Sequence, residues 1–140
     1  MIGDMGTDRR GLRVLDMEDC LARLSRAKVA RIAFVHNGEA EVLPVAIGLD
    51  GSTVVFRTTW GSKLEAAVLQ APVTVEVDEF DGHGAGWSVL LKGTAAMEYD
   101  QVRTRHWEHL VPAWLHDEAE TFWVTVTPEE ISGREIVPPS

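Results

Sequence analysis

Two tight turns near the middle of the chain constrain the fold more than any other feature. The pairs Asn37-Gly38 and Asp50-Gly51 are favoured in two-residue β-hairpin loops, where both loop residues need a positive φ. Stretches rich in β-branched and apolar residues flank the turns, at 29–35, 40–49 and 53–59. Two successive hairpins predict three strands in an antiparallel meander and argue against a parallel βαβ sheet.

Further strand and helix signals follow this meander. Strands are expected at Val73–Asp78, at Trp87–Met97 with a kink at Gly93, and at Phe122–Thr127, with turns at 128–130 and 132–133. Asp16 and Asp100 are capping residues, and each predicts a helix after it; the second of these helices is expected to end near Pro112. A third helix is expected to begin at Ser62, which forms a capping-box pattern with Glu65. Short strands and few helices predict a mainly β protein, a small β-barrel or sandwich. Residues 1–14 are expected to form a loose lead-in and residues 15–137 a single domain.

Composition excludes several classes of protein. The chain has 140 residues, with 13 basic and 22 acidic side chains and a net charge of −9, which argues against a nucleic-acid partner held through phosphates. Cys20 is the only cysteine, so no disulfide framework or cysteine-rich metal site is expected, and a buried, inert thiol is favoured. The sequence shows no membrane-spanning apolar run and no signal peptide, so a cytoplasmic location with no membrane partner is the expectation.

A cluster of donors and cations surrounds the expected start of the helix at Ser62. Hydroxyl groups of Thr58, Thr59 and Ser62 lie within a few residues of the cations Arg57 and Lys63. Such a set, beside the unpaired N–H groups of a helix start, can bind a phosphate monoester. The alternative is a capped surface helix with two solvated cations. Arg57 and Thr58 point to opposite faces of a regular strand, so both reach one ligand only if the strand ends or twists there.

Other constellations are weaker. Asp78, Asp81 and His83 surround a glycine-rich loop but fit no metal-loop template, and His106 and His109 lack a zinc partner, so no metal is expected. Trp60 and Trp87 flank the turn and the loop nearest the phosphate cluster. Each can be an ordinary packing residue or a wall for a planar ring.

Several motifs together resemble a known family. They are Val54–Thr58 with Gly61–Leu64, Val75–Asp78 with Phe80-Asp81, Gly86–Leu90 with Gly93, and the ending at 123–134. This pattern, over about residues 15–136, resembles the pyridoxamine 5′-phosphate oxidase-like, FMN-binding split-barrel proteins. It is most similar to small actinobacterial members, including those related to nitroimidazole-resistance proteins.

The resemblance implies a six-stranded antiparallel split barrel with Greek-key connections, and a homodimer with FMN in clefts between its subunits. The positions that match the family's cofactor contacts are Val45, Ala46, Ile47, Arg57, Thr58, Ser62, Lys63, Trp87 and Ser88. True pyridoxamine phosphate oxidases hold their substrate with a C-terminal Arg-x-His segment. Only Arg134 is present here, without the histidine, so vitamin B6 oxidation is not expected.

The function implied by this resemblance is an FMN-dependent oxidoreductase, in which hydride moves between the flavin N5 and a small-molecule redox substrate. No side chain is assigned a catalytic role. Two alternatives remain: a reductase that uses the deazaflavin F420, whose longer anionic tail needs more cations, and a non-catalytic flavin- or haem-binding protein.

Overall fold

The computed structural model describes residues 12–112 and 120–137. In this part of the chain the elements are, in order, β1 (Arg13–Val14), α1 (Met17–Arg26), β2 (Val29–His36), β3 (Glu39–Ala46), β4 (Gly48–Asp50), β5 (Thr53–Thr58), α2 (Ser62–Val68), β6 (Pro72–Phe80), β7 (Gly86–Glu98), α3 (Gln101–Trp107) and β8 (Phe122–Ile136). Residues 1–11 of the expected lead-in lie outside the described residues. No helix in the described ranges is long and apolar enough to cross a membrane.

All strands belong to one antiparallel sheet. Its order is β3-β2-β6-β7-β8-β5-β4, with β1 paired to β8. Only Ile47 separates β3 from β4, although these strands lie at opposite ends of the order. The sheet therefore curls until its two ends approach each other. The predicted mainly β, antiparallel barrel class is confirmed, with eight strands in the described residues instead of six.

The strand expected at 40–49 is divided at Ile47. The backbone N–H of Ile47 donates to the carbonyl of Lys28 at 3.0 Å, and the chain then leaves β2 to pair with β5. The turn predicted at Asn37-Gly38 is confirmed, with φ values of 53° and 77°. Pro44 has no N–H to donate, and it lies in the edge strand β3, where proline is tolerated because only one side of the strand is paired.

The prediction that the last strand stops at Thr127 is wrong. Strand β8 runs for 15 residues and passes through both expected turns. Pro128 is tolerated because it lies at a register shift, where Gly93 pairs with Pro128 and Lys92 with Glu130, leaving Glu129 as the extra residue of a bulge. The irregularity expected at Gly93 is present as this register shift, whose extra residue lies on β8.

Two apolar clusters stabilise the curled sheet on its two faces. The main core lies inside the curl and includes Leu24, Phe56, Leu64, Leu91 and Val124. A smaller outer cluster joins α3 and the turn after it to the far side of β5 and β8; its buried members are Val55, Trp107, Val111 and Trp123. Sheet residues alternate between these clusters, as the pleat requires.

The helix caps are partly as predicted. The Asp16 carboxylate accepts a hydrogen bond from the N–H of Asp19 at 2.8 Å, and Asp100 accepts from Val102 at 2.9 Å. The helix after Asp100 ends at Trp107, earlier than the predicted end near Pro112. Beyond this end, Leu110 and Val111 pack over Gly48 and against the outer cluster.

A partly buried carboxylate lies on the outer face of the sheet. Glu76 of β6 faces Arg31 of β2, whose Nη1 lies 3.7 Å from Oε1, and shares its face with Asp78. The Oε1 atom has no hydrogen-bond partner among the described residues. Burial, together with the neighbouring Asp78 carboxyl, raises the pKa of Glu76 to about 7, and Arg31 opposes this shift only in part.

The bulge gives a first prediction. A Cβ at residue 93 would lie 2.0 Å from the carbonyl oxygen of Thr127, a backbone atom that cannot rotate away. We expect Gly93→Ala to lower the free energy of unfolding by about 1–3 kcal/mol, measured by urea denaturation. Lys92→Ala, at the exposed neighbouring position, is the control and should change it by less than about 0.5 kcal/mol. Equal stability of the two variants would contradict the bulge geometry.

Glu76 gives a second prediction. The unfolded chain holds this carboxyl near its ordinary pKa of 4.5, so the folded state binds more protons between about pH 4.5 and 7. The contribution of Glu76 to the free energy of unfolding therefore falls as the pH rises through this range. Glu76→Gln should exceed the wild type in free energy of unfolding by about 1–3 kcal/mol at pH 8, and by much less at pH 5.5. Glu79→Gln, exposed on the same strand, is the control; a Glu76→Gln gain independent of pH would be inconsistent with this assignment.

Candidate functional site

The end of β5 presents a cation on one face and a buried hydroxyl on the other. Arg57 is exposed, and its guanidinium carbon lies 4.9 Å from the ring centroid of Trp123. Thr58 is buried, with its hydroxyl donating to the carbonyl of Thr59 at 3.2 Å. The expected opposition of these two side chains is confirmed. Arg57 is free to meet a ligand on the outer side, whereas the Thr58 hydroxyl already has a partner.

The predicted capping box at Ser62 is wrong. Gly61 occupies the N-cap position without a side-chain hydrogen bond, and Ser62 is the first helical residue of α2. Since the chain enters the helix one residue earlier than the pattern implied, the Ser62 hydroxyl is not used as a cap. Glu65 instead lies 2.9 Å from Nε2 of His36, on β2.

Lys63 is the electrostatically unusual cation of this segment. It lies in the first turn of α2 and is partly buried, and this burial lowers the pKa of its ammonium group. It forms no ion pair with any described carboxylate. A cation that has lost hydration without gaining a counter-ion is stabilised by any anion that binds beside it.

Some of the other arginines have carboxylate partners. Arg13 and Arg23 both bind the carboxylate of Glu135, and Arg103 binds Glu98. In a chain with net charge −9, carboxylates are abundant. Within the described ranges, Arg57 contacts an aromatic ring and Lys63 contacts no carboxylate.

An exposed aromatic side chain lies between these two cations in the sequence. Trp60 is 72% exposed and packs edge-to-face on Phe122, with ring centroids 5.2 Å apart and an interplanar angle of 65°. Phe122 pairs with Thr58, and the next residue of β8, Trp123, pairs with Arg57. The segment from Arg57 to Lys63 therefore combines cations with a solvent-facing indole. The interpretation of Trp60 as a wall for a planar ring stays a prediction.

Trp87 and Ser88 occupy opposite faces of β7. The guanidinium of Arg23 lies 4.9 Å from the Trp87 ring centroid and donates to Glu135 at 2.8 Å, so this tryptophan helps to hold α1 against the sheet. Ser88 lies opposite Asp78 on one neighbouring strand and Arg134 on the other. One ligand cannot contact both side chains through the same face.

The Arg23–Glu135 pair spans 112 residues, and no local pattern in the sequence could have indicated it.

The three residues expected beside a flavin ring have different surroundings. Val45 and Ile47 are buried in the main core, and the Ile47 N–H is already bonded to Lys28. Ala46 is partly buried and packs against the outer cluster, which also contains Val55. Of these three side chains, Ala46 alone shares the outer side of the sheet with Arg57. The proposed contacts of this strand with a cofactor stay predictions.

A groove of about 610 Å³ lies elsewhere on the sheet. It runs along β2, β3 and β6, with Val35, Val42 and Thr74 in its lining and Lys92 and Glu130 beside them. None of the residues predicted to bind a cofactor lines this groove. Val35 and Val42 are among the exposed large apolar side chains of the described residues.

The structure also describes the surroundings of Asp81 and Cys20, two other groups singled out in the sequence. The Asp81 carboxylate accepts hydrogen bonds from the N–H groups of His83 at 2.7 Å and Ala85 at 3.3 Å, which orders the glycine-rich loop. The described residues contain no group of three or more side chains arranged to hold a metal ion. Cys20 is buried, and this burial raises the pKa of its thiol, so its predicted inert character agrees with its surroundings.

Comparison with known proteins gives a consistent result. A family model described as pyridoxamine 5′-phosphate oxidase matches residues 16–135. The FAD binding protein from Mycobacterium smegmatis is 28% identical and has a TM-score of 0.77, and the match covers 90% of this chain and 99% of that protein. A conserved protein of unknown function from Corynebacterium diphtheriae is 33% identical, with a TM-score of 0.74 and coverage of 90% and 98%.

A more distant structure extends this likeness at the level of the fold. It is a proposed 5-nitroimidazole antibiotic resistance protein from Bacteroides thetaiotaomicron, with a TM-score of 0.71 and coverage of 88% of this chain and 72% of that protein. At 15% identity it is similar in fold alone.

Proposed function

Because the chain belongs to the pyridoxamine 5′-phosphate oxidase family, we propose that it is a flavin-binding oxidoreductase whose flavin phosphate binds between the end of β5 and the start of α2. The observation that supports this proposal best is Lys63, a partly buried cation with no carboxylate partner among the described residues, close in sequence to the exposed Arg57. The related Mycobacterium smegmatis protein is described as FAD binding, which supports a flavin as the ligand class.

The residues at this position fit a phosphate ester chemically. Lys63 supplies an ammonium group whose charge is disfavoured by burial, and a phosphate beside it would restore the lost stabilisation. Arg57 supplies a guanidinium on the outer side of the sheet, and the Ser62 hydroxyl has no capping role that competes with a ligand. Thr58 acts differently from the prediction in one respect: its hydroxyl holds the backbone of Thr59 and would shape the site indirectly.

A bound flavin, FMN in the simplest case, would supply hydride transfer through N5 to a small-molecule redox substrate stacked on its ring. The protein's own task would be to anchor the phosphate and to orient the ring on the outer side of the sheet, near the partly buried Ala46. Vitamin B6 is not the proposed substrate, because Arg134 lacks the histidine with which true pyridoxamine phosphate oxidases complete their substrate site.

We also propose that two copies form a homodimer, with the flavin between them. The outer face of β2 and β3 exposes Val29, Val35 and Val42, and this apolar surface needs a cover. The exposed position of Arg57 leaves one side of the flavin site open to a second subunit. A dimer would therefore both cover apolar surface and enclose the ring.

The phosphate site gives a third prediction. Loss of one charge-assisted hydrogen bond costs about 1.5–3 kcal/mol, so Arg57→Ala and Lys63→Ala should each weaken FMN binding roughly 10- to 100-fold. Titration of the apoprotein with FMN, followed by flavin fluorescence, measures this. Arg26→Ala, which removes an exposed cation at the end of α1, is the control and should leave affinity within about twofold.

Unchanged FMN affinity in both variants would place the phosphate elsewhere.

The absorption spectrum of the purified protein tests the cofactor class independently. Flavin bands are expected, whereas a single deazaflavin band or a Soret peak would overturn the flavin proposal. Turnover of NAD(P)H with artificial acceptors then separates an oxidoreductase from a flavin carrier.

The assembly gives a fourth prediction. Light scattering should give a particle of about twice the chain mass of 15.5 kDa. Val35→Asp should shift the protein toward the monomer and weaken flavin retention, because a charge on the apolar face of β2 opposes its burial. Val68→Asp, on the exposed side of α2, is the matched control and should remain dimeric. A wild-type monomer that binds flavin tightly would refute the interfacial site.

A further inference from the structure

We propose that two copies of this chain associate through the outer face of β2, β3 and β6, and that a proton held by the carboxyl pair Glu76 and Asp78 controls this association. The association is tighter in acid and weaker in alkali. This inference rests on the homodimer of the proposed function, to which it adds a defined surface and a regulatory group. It is independent of the identity of the bound cofactor.

The register of the sheet brings the carboxyl pair onto the apolar face. Residues that pair directly across neighbouring strands share one face of a sheet. Arg31 of β2 pairs with Pro44 of β3 on one side and with Glu76 of β6 on the other. The adjacent row on this face contains the pair Ala33 and Val42. The Glu76 carboxyl therefore borders the exposed apolar surface of β2 and β3.

The charged groups on this face decide how Glu76 titrates. In the described part of the chain, β6 pairs with β2 and β7. On β2, Nη1 of Arg31 lies 3.7 Å from Glu76 and 4.0 Å from Asp78, so one cation faces two carboxylates. On β7, Lys92 lies two residues beyond the position opposite Glu76, and Glu130 of β8 lies opposite Lys92. Arg31 can balance one carboxylate charge, and a bound proton removes the other.

Glu76 lies in surroundings that favour its neutral form. Its side chain is 26% exposed, against 60% for Arg31, so the carboxylate has lost more hydration than the cation that faces it. The Oε1 atom is buried without a hydrogen-bond partner among the described residues. Burial and the neighbouring Asp78 carboxyl raise the pKa of Glu76 to about 7. This carboxyl therefore changes its charge near neutral pH, where an ordinary glutamate is ionised.

A second subunit on this face would strengthen the preference for the neutral form. Association removes water from the carboxyl pair and so disfavours its fully charged state. The dimer then binds a proton more tightly than the free subunit does, and protonation favours the dimer by linkage. A second copy suits this surface because the face carries both signs of charge, with Arg31 and Lys92 against Asp78 and Glu130. Two such faces related by a two-fold axis can present opposite charges to each other.

The test measures the dimer dissociation constant of the full chain by analytical ultracentrifugation at pH 6 and pH 8. Circular dichroism at both pH values checks that the chain stays folded. The dissociation constant should rise roughly 10- to 100-fold from pH 6 to pH 8, because each dimer holds up to two of these protons.

Three variants assign the effect to its source. Glu76→Gln is neutral at both pH values, so its dissociation constant should stay within about threefold of the wild-type value at pH 6. Asp78→Asn should move the midpoint of the pH dependence to lower pH, because loss of the neighbouring charge favours ionised Glu76. Glu79→Gln is the matched control, since Glu79 is exposed on the opposite face of β6, and it should keep the wild-type pH dependence.

Each other outcome overturns the inference in a different way. A wild-type dimer that dissociates equally at pH 6 and pH 8, or at neither, would exclude control by a proton while leaving the homodimer intact. An unchanged pH dependence in Glu76→Gln would assign the effect to another group and would also overturn the inference. A folded wild-type monomer at both pH values would overturn the proposed homodimer together with this inference.

Discussion

The long antiparallel pair of β7 and β8 is the contact on which the rest of the structure depends. Strand β7 pairs with β6 on one side and with β8 on the other, and β8 in turn pairs with β5 and β1. The bulge at Gly93 lets this pair continue past Pro128, so that β8 is hydrogen-bonded to β7 from Trp123 to Ile136. Without it, α1 would lose its contact with Glu135, and Arg57 would lose its contact with Trp123.

Curling the sheet separates its side chains into two environments, and this separation defines the candidate site. The inner face is a continuous apolar core, whereas on the outer face α3 and its following turn cover part of β5 and β8. Thr58 belongs to the inner side and Arg57 to the outer side, although they are neighbours in sequence. A ligand at the proposed site would therefore meet Arg57 directly and Thr58 only through the backbone.

The distribution of charge gives this site its chemical character. The described carboxylates lie at or near the surface, and two of them, Glu135 and Glu98, pair with arginines that fasten α1, β1 and α3 to the sheet. Lys63 differs because burial, with no counter-ion among the described carboxylates, disfavours its charge. A bound anion would relieve this cost, and the exposed indole of Trp60 lies in the same segment of the chain. Cation and aromatic surface together suit a phosphorylated aromatic cofactor.

The sequence by itself determined the local elements and the family. Positive-φ turn residues at Asn37-Gly38, the Asp16 and Asp100 caps and the irregularity at Gly93 were predictable because each depends on neighbours in the chain. The division at Ile47, the passage of β8 through Pro128 and Gly133, and the clamp between Arg23, Trp87 and Glu135 were decided only by tertiary structure. Each depends on a partner strand or helix far along the chain, which fixes where a ladder changes register and which face a side chain occupies. The candidate site follows the same division, because Arg57, Trp60 and Lys63 are close in sequence, whereas the face of the sheet that each of Arg57 and Trp60 occupies depends on the tertiary structure.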